Sequence, residues 1–521
     1  MSDISKLLKY LPPETELPVG FSDERLLRWM CQRSFLAFCM AVKPDFLPTK
    51  FHIYLADKFQ QIYEDTKKGI DRRYIIACPP QLGKSTITTQ LFPAWVLGRE
   101  NWPVICASYS ADLAERNSMF CREFLNSDTY KIIFPRVRLN PDSTSKSYWQ
   151  TNRGGAYRAV GTMGGLTGYS GRLLLADDLL SSQADAESAT ISDGVWSWFK
   201  TVFYTRKQSK SAMVLIATRW SLNDPTGRLI DQQHMYEGMN LPAGSYDKWD
   251  YLSFPAIAES DEDFGDGWTR KAGEVICPER FTLEDMVKTR NSLVSEGKVQ
   301  EWSSLYQQEP ILQENAEFKN EWFRYFEEKD IATKELSYLT LVDLAISKAK
   351  EADNTVVRTI AVERNTGYWY LMEETAGHLD PLETVDAIFF HAKTYRSHVW
   401  IESVAYQAAL PKFILEKQRK DRVYFNVDEL KHAKGKSKEA RIRGLIPRYK
   451  AGTIFHRRSD TALQVELLQF PKGRHEDRAD ALSFALEVAD GAMPSETPEQ
   501  VKRREKEEKV QFDPFASISK I

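Results

Sequence analysis

The stretch Tyr74-Ile75-Ile76-Ala77-Cys78-Pro79-Pro80-Gln81-Leu82-Gly83-Lys84-Ser85-Thr86 decides the fold. An apolar run of strand length ends at Ala77, a loop follows, and a helical pattern begins near Thr86. The loop has GxxxxGK[ST] spacing with Cys78 in place of the first glycine, in the strand-loop-helix setting that this phosphate-binding motif requires. Backbone N–H groups from Leu82 to Ser85 are expected to point at phosphates, backed by the positive end of the following helix. Gly83 permits close approach, Lys84 supplies a charge for the β- and γ-phosphates, and the Ser85 hydroxyl can ligate Mg²⁺. Pro79 and Pro80 lack N–H groups and shape the loop. Gln81, Leu82, Gly83, Lys84, Ser85 and Thr86 form the expected contact with ATP, and Mg²⁺ is the expected co-ligand.

Such a loop works with a carboxylate at a neighbouring strand end, and Leu173-Leu174-Leu175-Ala176-Asp177-Asp178 provides one. Asp177 is expected to hold the Mg²⁺ shell, and Asp178 to orient or deprotonate water. A further apolar run ends at Ala217-Thr218-Arg219, where the Thr218 hydroxyl is placed to sense the γ-phosphate. Arg158 and Arg172, on either side of the glycine-rich segment Gly161–Gly171, are the arginine-finger candidates. His52, next to Phe51 upstream of the loop, is a candidate for stacking on adenine.

The surrounding pattern is α/β. Tyr74–Ala77, Val104–Ser108, Arg172–Ala176 and Met213–Ala217 are strand-length apolar runs separated by helical segments, which predicts a mainly parallel sheet. Further on, Leu339–Ala345, Thr355–Val362 and Tyr368–Met372 read as three strands on short connections, hence antiparallel. Helices then alternate with strands at Val399–Ser403 and Val423–Val427, the order of an RNase H-like mixed sheet. The expected organisation is a helical segment over 1–50, a P-loop ATPase domain over 51–258 and a connector over 259–329. An RNase H-like nuclease domain over 330–490 and a flexible charged tail over 491–521 complete it.

Asp343 lies within an apolar strand, as does Glu402, and a buried carboxylate must be paired or bind metal. Asp477 and Asp480, three apart at the start of the last helix, share a face. Two strand acids and one helix acid can hold two Mg²⁺ or Mn²⁺ ions for phosphodiester cleavage. Either Asp477 or Asp480 can supply the third ligand. Between Glu402 and these acids, Lys431–Lys450 carries eight Lys/Arg, among them Lys434, Lys436, Lys438 and Arg441, against one acid, Glu439. This is the candidate DNA groove.

Composition sets outer limits. In 521 residues, 70 Lys+Arg against 73 Asp+Glu give a net charge of −3, which excludes a uniformly basic, histone-like binder. No apolar run is long enough for a membrane span, and no secretory signal is seen. Six scattered cysteines without CxxC spacing argue against a zinc ribbon or a disulfide framework, so the chain reads as soluble and cytosolic.

Taken in order, these motifs resemble the large terminase subunit of tailed double-stranded DNA bacteriophages. The resemblance rests on Pro79–Ser85, Ala107-Ser108-Tyr109-Ser110 through Ala114-Glu115-Arg116, Leu166-Thr167-Gly168, Asp177-Asp178, Ala217–Trp220, and the acids Asp343, Glu402 and Asp477 to Asp480. It implies ATP-driven translocation of double-stranded DNA and metal-dependent cutting of concatemers. Implied catalytic positions are Lys84, Asp178, Thr218, Asp343, Glu402, Asp477 and Asp480; implied metal positions are Ser85, Asp177, Asp343, Glu402 and Asp480. Implied partners are the portal ring, a small terminase subunit and sister copies on the portal, with a monomer in solution. The implied location is the cytoplasm of an infected bacterium and transiently the procapsid portal, not the mature virion. Two rivals stand beside this reading: a nuclease-fused helicase or restriction-type translocase, and a portal-docking protein with a vestigial nuclease.

Overall fold

The computed structural model describes residues 7–8, 21–143, 145–239, 241, 244–265, 267–310, 317–344, 354–402, 410–430, 437–471 and 476–489. The chain divides into two compact units, Met1–Leu312 and Gln313–Ile521. The stretch 259–329 expected as one connector is therefore shared: Trp302 joins a small core with Ala256 and Met286 in the first unit, whereas Phe318 packs edge-on against Tyr449 and Phe470 in the second.

The first unit is built on seven strands: β1 (Arg72–Ala77), β2 (Pro103–Ser108), β3 (Tyr148–Gln150), β4 (Ala156–Gly161), β5 (Gly171–Asp177), β6 (Lys207–Ala217) and β7 (Asp250–Ser253). Their order is β3-β4-β2-β5-β6-β1-β7, and every pairing is parallel except that of β3 with β4. Alternate residues of the central strands enter two different cores, as the period of two in a strand demands. Ile76, Cys106, Leu175 and Ile216 face a core that also contains Met30, Phe35, Phe51 and Phe59. Ile75, Ala107, Leu174 and Leu215 face the other, with Val195, Trp198 and Phe203. A sheet covered on both faces explains why its strands are continuous apolar runs. The helices Asp23–Arg33 and Phe35–Val42, expected within a separate N-terminal segment, are part of the first of these cores. A two-stranded hairpin, β8 (Glu262–Asp263) and β9 (Thr269–Arg270), follows.

In the second unit β10 (Arg324–Tyr325), β11 (Leu336–Asp343), β12 (Thr355–Glu363), β13 (Trp369–Gly377), β14 (His398–Glu402), β15 (Val427–Leu430) and β16 (Ile454–His456) form one sheet. The order is β10-β16-β13-β12-β11-β14-β15. β11, β12 and β13 are antiparallel neighbours, while β14 joins β11 in parallel and β15 joins β14 in parallel. This is the mixed sheet expected from the sequence, with one strand displaced: the run at Val423–Val427 pairs only from Val427 onward. Val423 and Phe425 instead pack beneath the helices Pro381–Tyr395 and Leu410–Asp421 as part of their core. All six cysteines are free and buried. Among the described residues no helix is long and apolar enough to cross a membrane.

Candidate functional site

The strand order places β1, β6 and β5 side by side, so the loop after β1, Thr218 after β6 and Asp177-Asp178 at the end of β5 meet at one edge, the usual ligand crevice of a parallel sheet. Hydrogen bonds tie these ends together. Cys78 N donates to Ala217 O at 3.2 Å and Asp178 N to Ile216 O at 3.0 Å. Lys84 Nζ lies 3.0 and 2.9 Å from the two Asp178 carboxylate oxygens and also donates to Thr218 Oγ1. The Thr218 N–H donates to Asp178 Oδ1 at 2.7 Å. Asp178 itself has φ +46°, a conformation rare outside glycine that turns its carboxylate out of the strand towards the loop.

Asp177 is fully buried, and neither of its carboxylate oxygens has a hydrogen-bond partner. The hydroxyls of Ser85 and Thr89 lie near enough to favour its charged form, yet Thr89 Oγ1 donates to Ser85 O at 2.9 Å. Burial first, then the charge of Asp178, push the Asp177 carboxyl up to about 7. An unpaired buried carboxylate beside a serine hydroxyl fits a divalent cation in donor chemistry and in charge. Ser85 and Asp177 are thus the residues that can hold Mg²⁺. Gly83, at φ +78°, takes the left-handed turn of the loop, and Thr86 opens the helical segment behind it.

His52 is not a base-stacking residue. It is fully buried, with Nε2 at 2.8 Å from Leu82 O and Nδ1 at 2.7 Å from Thr49 Oγ1. Burial, helped by the charge of Arg280, lowers its pKa to about 4. The neutral ring therefore donates from Nε2 and braces the loop. A cavity of about 420 Å³ adjoins the loop instead, lined by Pro79, Pro80, Cys277, Phe281, Met286 and Tyr306 among others. Neither arginine candidate joins the Lys84 cluster. Arg172 lies at the start of β5, about 16 Å from Asp177 at ~3.3 Å per residue, donating to Thr66 O at 3.1 Å and covering the Trp102 ring. Arg158 lies within β4 and covers the Tyr169 ring at 4.6 Å. The arginine that does reach the loop is Arg280, whose Nη1 donates to Gln81 O at 3.1 Å. No local motif marks it, because the contact spans 199 positions.

In the second unit Asp343 and Glu402 end the adjacent strands β11 and β14, one residue past the Val342–Ile401 pair. Asp477 and Asp480 are buried in the short helix Asp477–Ser483, which packs on β11 and β12. Burial, then the charges of Asp480 and Glu402, hold the Asp343 carboxyl well above the usual range. Asp477 also raises it, and Lys438 opposes them. Asp477 Oδ2 is anchored by the Asn354 N–H at 2.8 Å.

Two residues expected to bind DNA are turned inward. Lys438 Nζ lies 2.9 Å from Asp477 Oδ1, and Arg441 clamps Asp480 with Nε at 2.9 Å from Oδ1 and Nη2 at 2.5 Å from Oδ2. Lys434 and Lys436 lie outside the described residues. Among the described residues no three His, Cys, Asp or Glu side chains stand close enough to hold a metal ion as placed. The all-carboxylate donor set suits Mg²⁺ or Mn²⁺ in kind, and Lys438 and Arg441 supply the positive charge in this arrangement. Behind the helix, buried Glu466 accepts from the N–H groups of Arg478 and Ala479 at 2.8 and 3.1 Å and from Arg478 Nη1 at 3.0 Å. Arg478 continues to Glu374 at 2.8 Å, and Glu374 to fully buried Arg358, which holds Asp460. This network was not legible in the sequence, since its members come from separate elements.

Residues 75–324 match the family model of the T4-like-virus-type large terminase subunit, N-terminal part. No curated protein matches the chain. The large terminase of bacteriophage HK97 is similar at 10% identity, covering 84% of this chain and 92% of that one, with a TM-score of 0.34. The large terminase nuclease of thermophilic phage G20c, solved with bound magnesium, is similar at 15% identity over 32% of this chain and 84% of that one, with a TM-score of 0.22. At these TM-scores the assignment rests on the family model and on the residues above. By its match over residues 75–324 and by these residues the chain resembles the large terminase subunit.

Proposed function

We propose that this chain is the motor and nuclease of a DNA-packaging machine: it hydrolyses ATP to move double-stranded DNA into a procapsid and cuts the concatemer with a metal-dependent nuclease. The observation that carries the reading is the Lys84–Asp178–Thr218 cluster beside the unpaired, buried Asp177. The loop N–H groups and Lys84 hold the phosphates, and the adjoining cavity takes the base. Ser85 and Asp177 hold Mg²⁺, which neutralises phosphate charge when bound. Entry of a triphosphate draws Lys84 from Asp178 and Thr218; Asp178 is then free to accept a proton from water, and Thr218 changes partner. Arg219 carries that change onward, since its backbone N–H meets Gln308 at 3.4 Å and its guanidinium pairs with buried Asp224.

In the second unit Asp343, Glu402 and Asp480 would hold divalent cations once Arg441 gives up Asp480, and such cations would supply charge stabilisation for phosphodiester cleavage. Double-stranded DNA is the substrate, and portal ring, small subunit and sister copies are the partners, in the cytoplasm of an infected host. One observation favours the docking-protein rival: Lys438 and Arg441 cover the nuclease acids. Two assays decide. Lys84→Ala is expected to lower ATPase activity about 10²–10³-fold, and Asp343→Ala to abolish Mn²⁺-dependent DNA cleavage. Cleavage by Asp343→Ala at the wild-type rate removes the nuclease assignment, and a wild type that never cuts favours docking. Stimulation of the ATPase by portal-loaded procapsids separates a packaging motor from a free translocase.

A further inference from the structure

The turn Cys277–Phe281 carries an arginine onto the phosphate loop. Arg280 N donates to Cys277 O at 3.0 Å and Phe281 N to the same carbonyl at 3.1 Å. Cys277 is buried and its thiol meets Thr49 Oγ1 at 3.4 Å, the hydroxyl that also holds His52. The turn, Thr49, His52 and the loop carbonyl of Leu82 are thus one connected structure, and Arg280 is delivered from it in a fixed place. Its Nη1 lies 3.1 Å from Gln81 O. A Cβ built on Gly83 would lie 3.5 Å from Nη2 and 3.6 Å from Nη1, so the guanidinium overlies the residue before Lys84.

Arg280 is exposed, and water could satisfy the Gln81 carbonyl without it. A guanidinium has five donors in a rigid fork, and the Gln81 contact uses one. The remaining donors and the charge stand at the loop whose own N–H groups are arranged for an anion. Arg158 and Arg172, by contrast, lie over aromatic rings elsewhere in the sheet. We propose that Arg280 is a phosphate-binding residue of the nucleotide site, donating to the Gln81 carbonyl and to a phosphate oxygen of the bound nucleoside triphosphate at once. The assignment rests on the ATPase reading above.

The test separates a phosphate contact from a loop brace. Arg280→Gln keeps an amide donor for Gln81 O and removes the charge, whereas Arg280→Lys keeps the charge. In the full chain with Mg²⁺, titration calorimetry with ATPγS is expected to show affinity lowered about tenfold or more in Arg280→Gln and in Arg280→Ala, the size of a lost charge-assisted bond. Arg280→Lys should stay within about threefold of wild type on the same grounds. Mn²⁺-dependent DNA cleavage, a property of the other unit, should be unchanged in all three. Wild-type ATPγS affinity in Arg280→Gln would overturn the proposal and leave a brace. A wild type that binds no ATPγS, or a Lys84→Ala variant that binds it equally, would instead remove the ATPase reading beneath it.

Discussion

Lys84 is almost fully buried and takes its charge balance from Asp178, so its loss would remove the proposed phosphate ligand and leave that carboxylate without its counter-charge. Lys84→Ala is expected to lower ATP turnover about 10²–10³-fold, the scale of one lost electrostatic contact to a transition state, checked by steady-state ATPase assays. Arg441 makes the opposite case. Its pair with Asp480 is largely shielded from water, with 13% and 4% of the two side chains exposed. Removing one partner strands a buried carboxylate, which costs about 3 kcal/mol. Arg441→Gln should therefore melt at lower temperature without metal and regain stability when Mn²⁺ is added, because a cation can replace the guanidinium. A melt that Mn²⁺ fails to raise would show that Asp480 is no metal ligand. That Lys84, Asp177, Asp178 and Thr218 lie together at one sheet edge was legible because strand ends are marked in the sequence by apolar runs that stop. His52, Arg280 and Arg441 owe their roles to contacts between distant segments, which spacing does not encode.

The helix Asp477–Ser483 is seven residues long and does not hold its shape by propensity. Glu466 caps its first turn from the neighbouring helix Thr461–Gln469 and sets the rotation at which Asp477 and Asp480 face β11. Burial, opposed by Arg478 and reinforced by Glu374, pushes the Glu466 carboxyl from 4.5 up to about 7. A raised folded-state pKa means that the stability contribution is full below about pH 4.5 and is lost as pH rises to about 7. In Glu466→Gln this dependence disappears, so the stability of the variant relative to wild type should climb by about 3 kcal/mol between these limits and stay level above them. Denaturation of both proteins at a series of pH values checks it; parallel curves would mean that Glu466 stays ionised throughout. The sheet strands were legible where both faces are covered, as in β1, β2 and β5. β4 and β7 were missed because polar or aromatic residues interrupt them: Arg158 in Ala156–Gly161, and Asp250, Tyr251 and Ser253 in β7.

Over the whole molecule, charge and organisation follow from how residues are shared between neighbours. The stretch 259–329 reads as a connector by composition, yet its hydrogen bonds assign it: Gln307 clamps both backbone groups of Ile257 in the first unit, and β10 pairs with β16 in the second. A net charge of −3 means that any hold on DNA is local. The basic segment Lys431–Lys450 supplies fewer free cations than its count suggests, since Lys438, Arg441 and Arg443 are paired with Asp477, Asp480 and Glu317. Lys434 and Lys436, outside the described residues, are the proposed phosphate contacts. Each contact releases about 0.9 counterion from duplex DNA, so replacing both lysines by alanine should flatten the slope of log affinity against log salt by about 1.8. Arg443→Ala should leave the slope almost unchanged, because its charge already answers Glu317. A salt titration of the full chain on duplex DNA reads both effects. An unchanged slope in the Lys434→Ala/Lys436→Ala variant would move the DNA path away from this segment, whereas a slope lowered in Arg443→Ala would mean that the Glu317 pair opens when DNA binds.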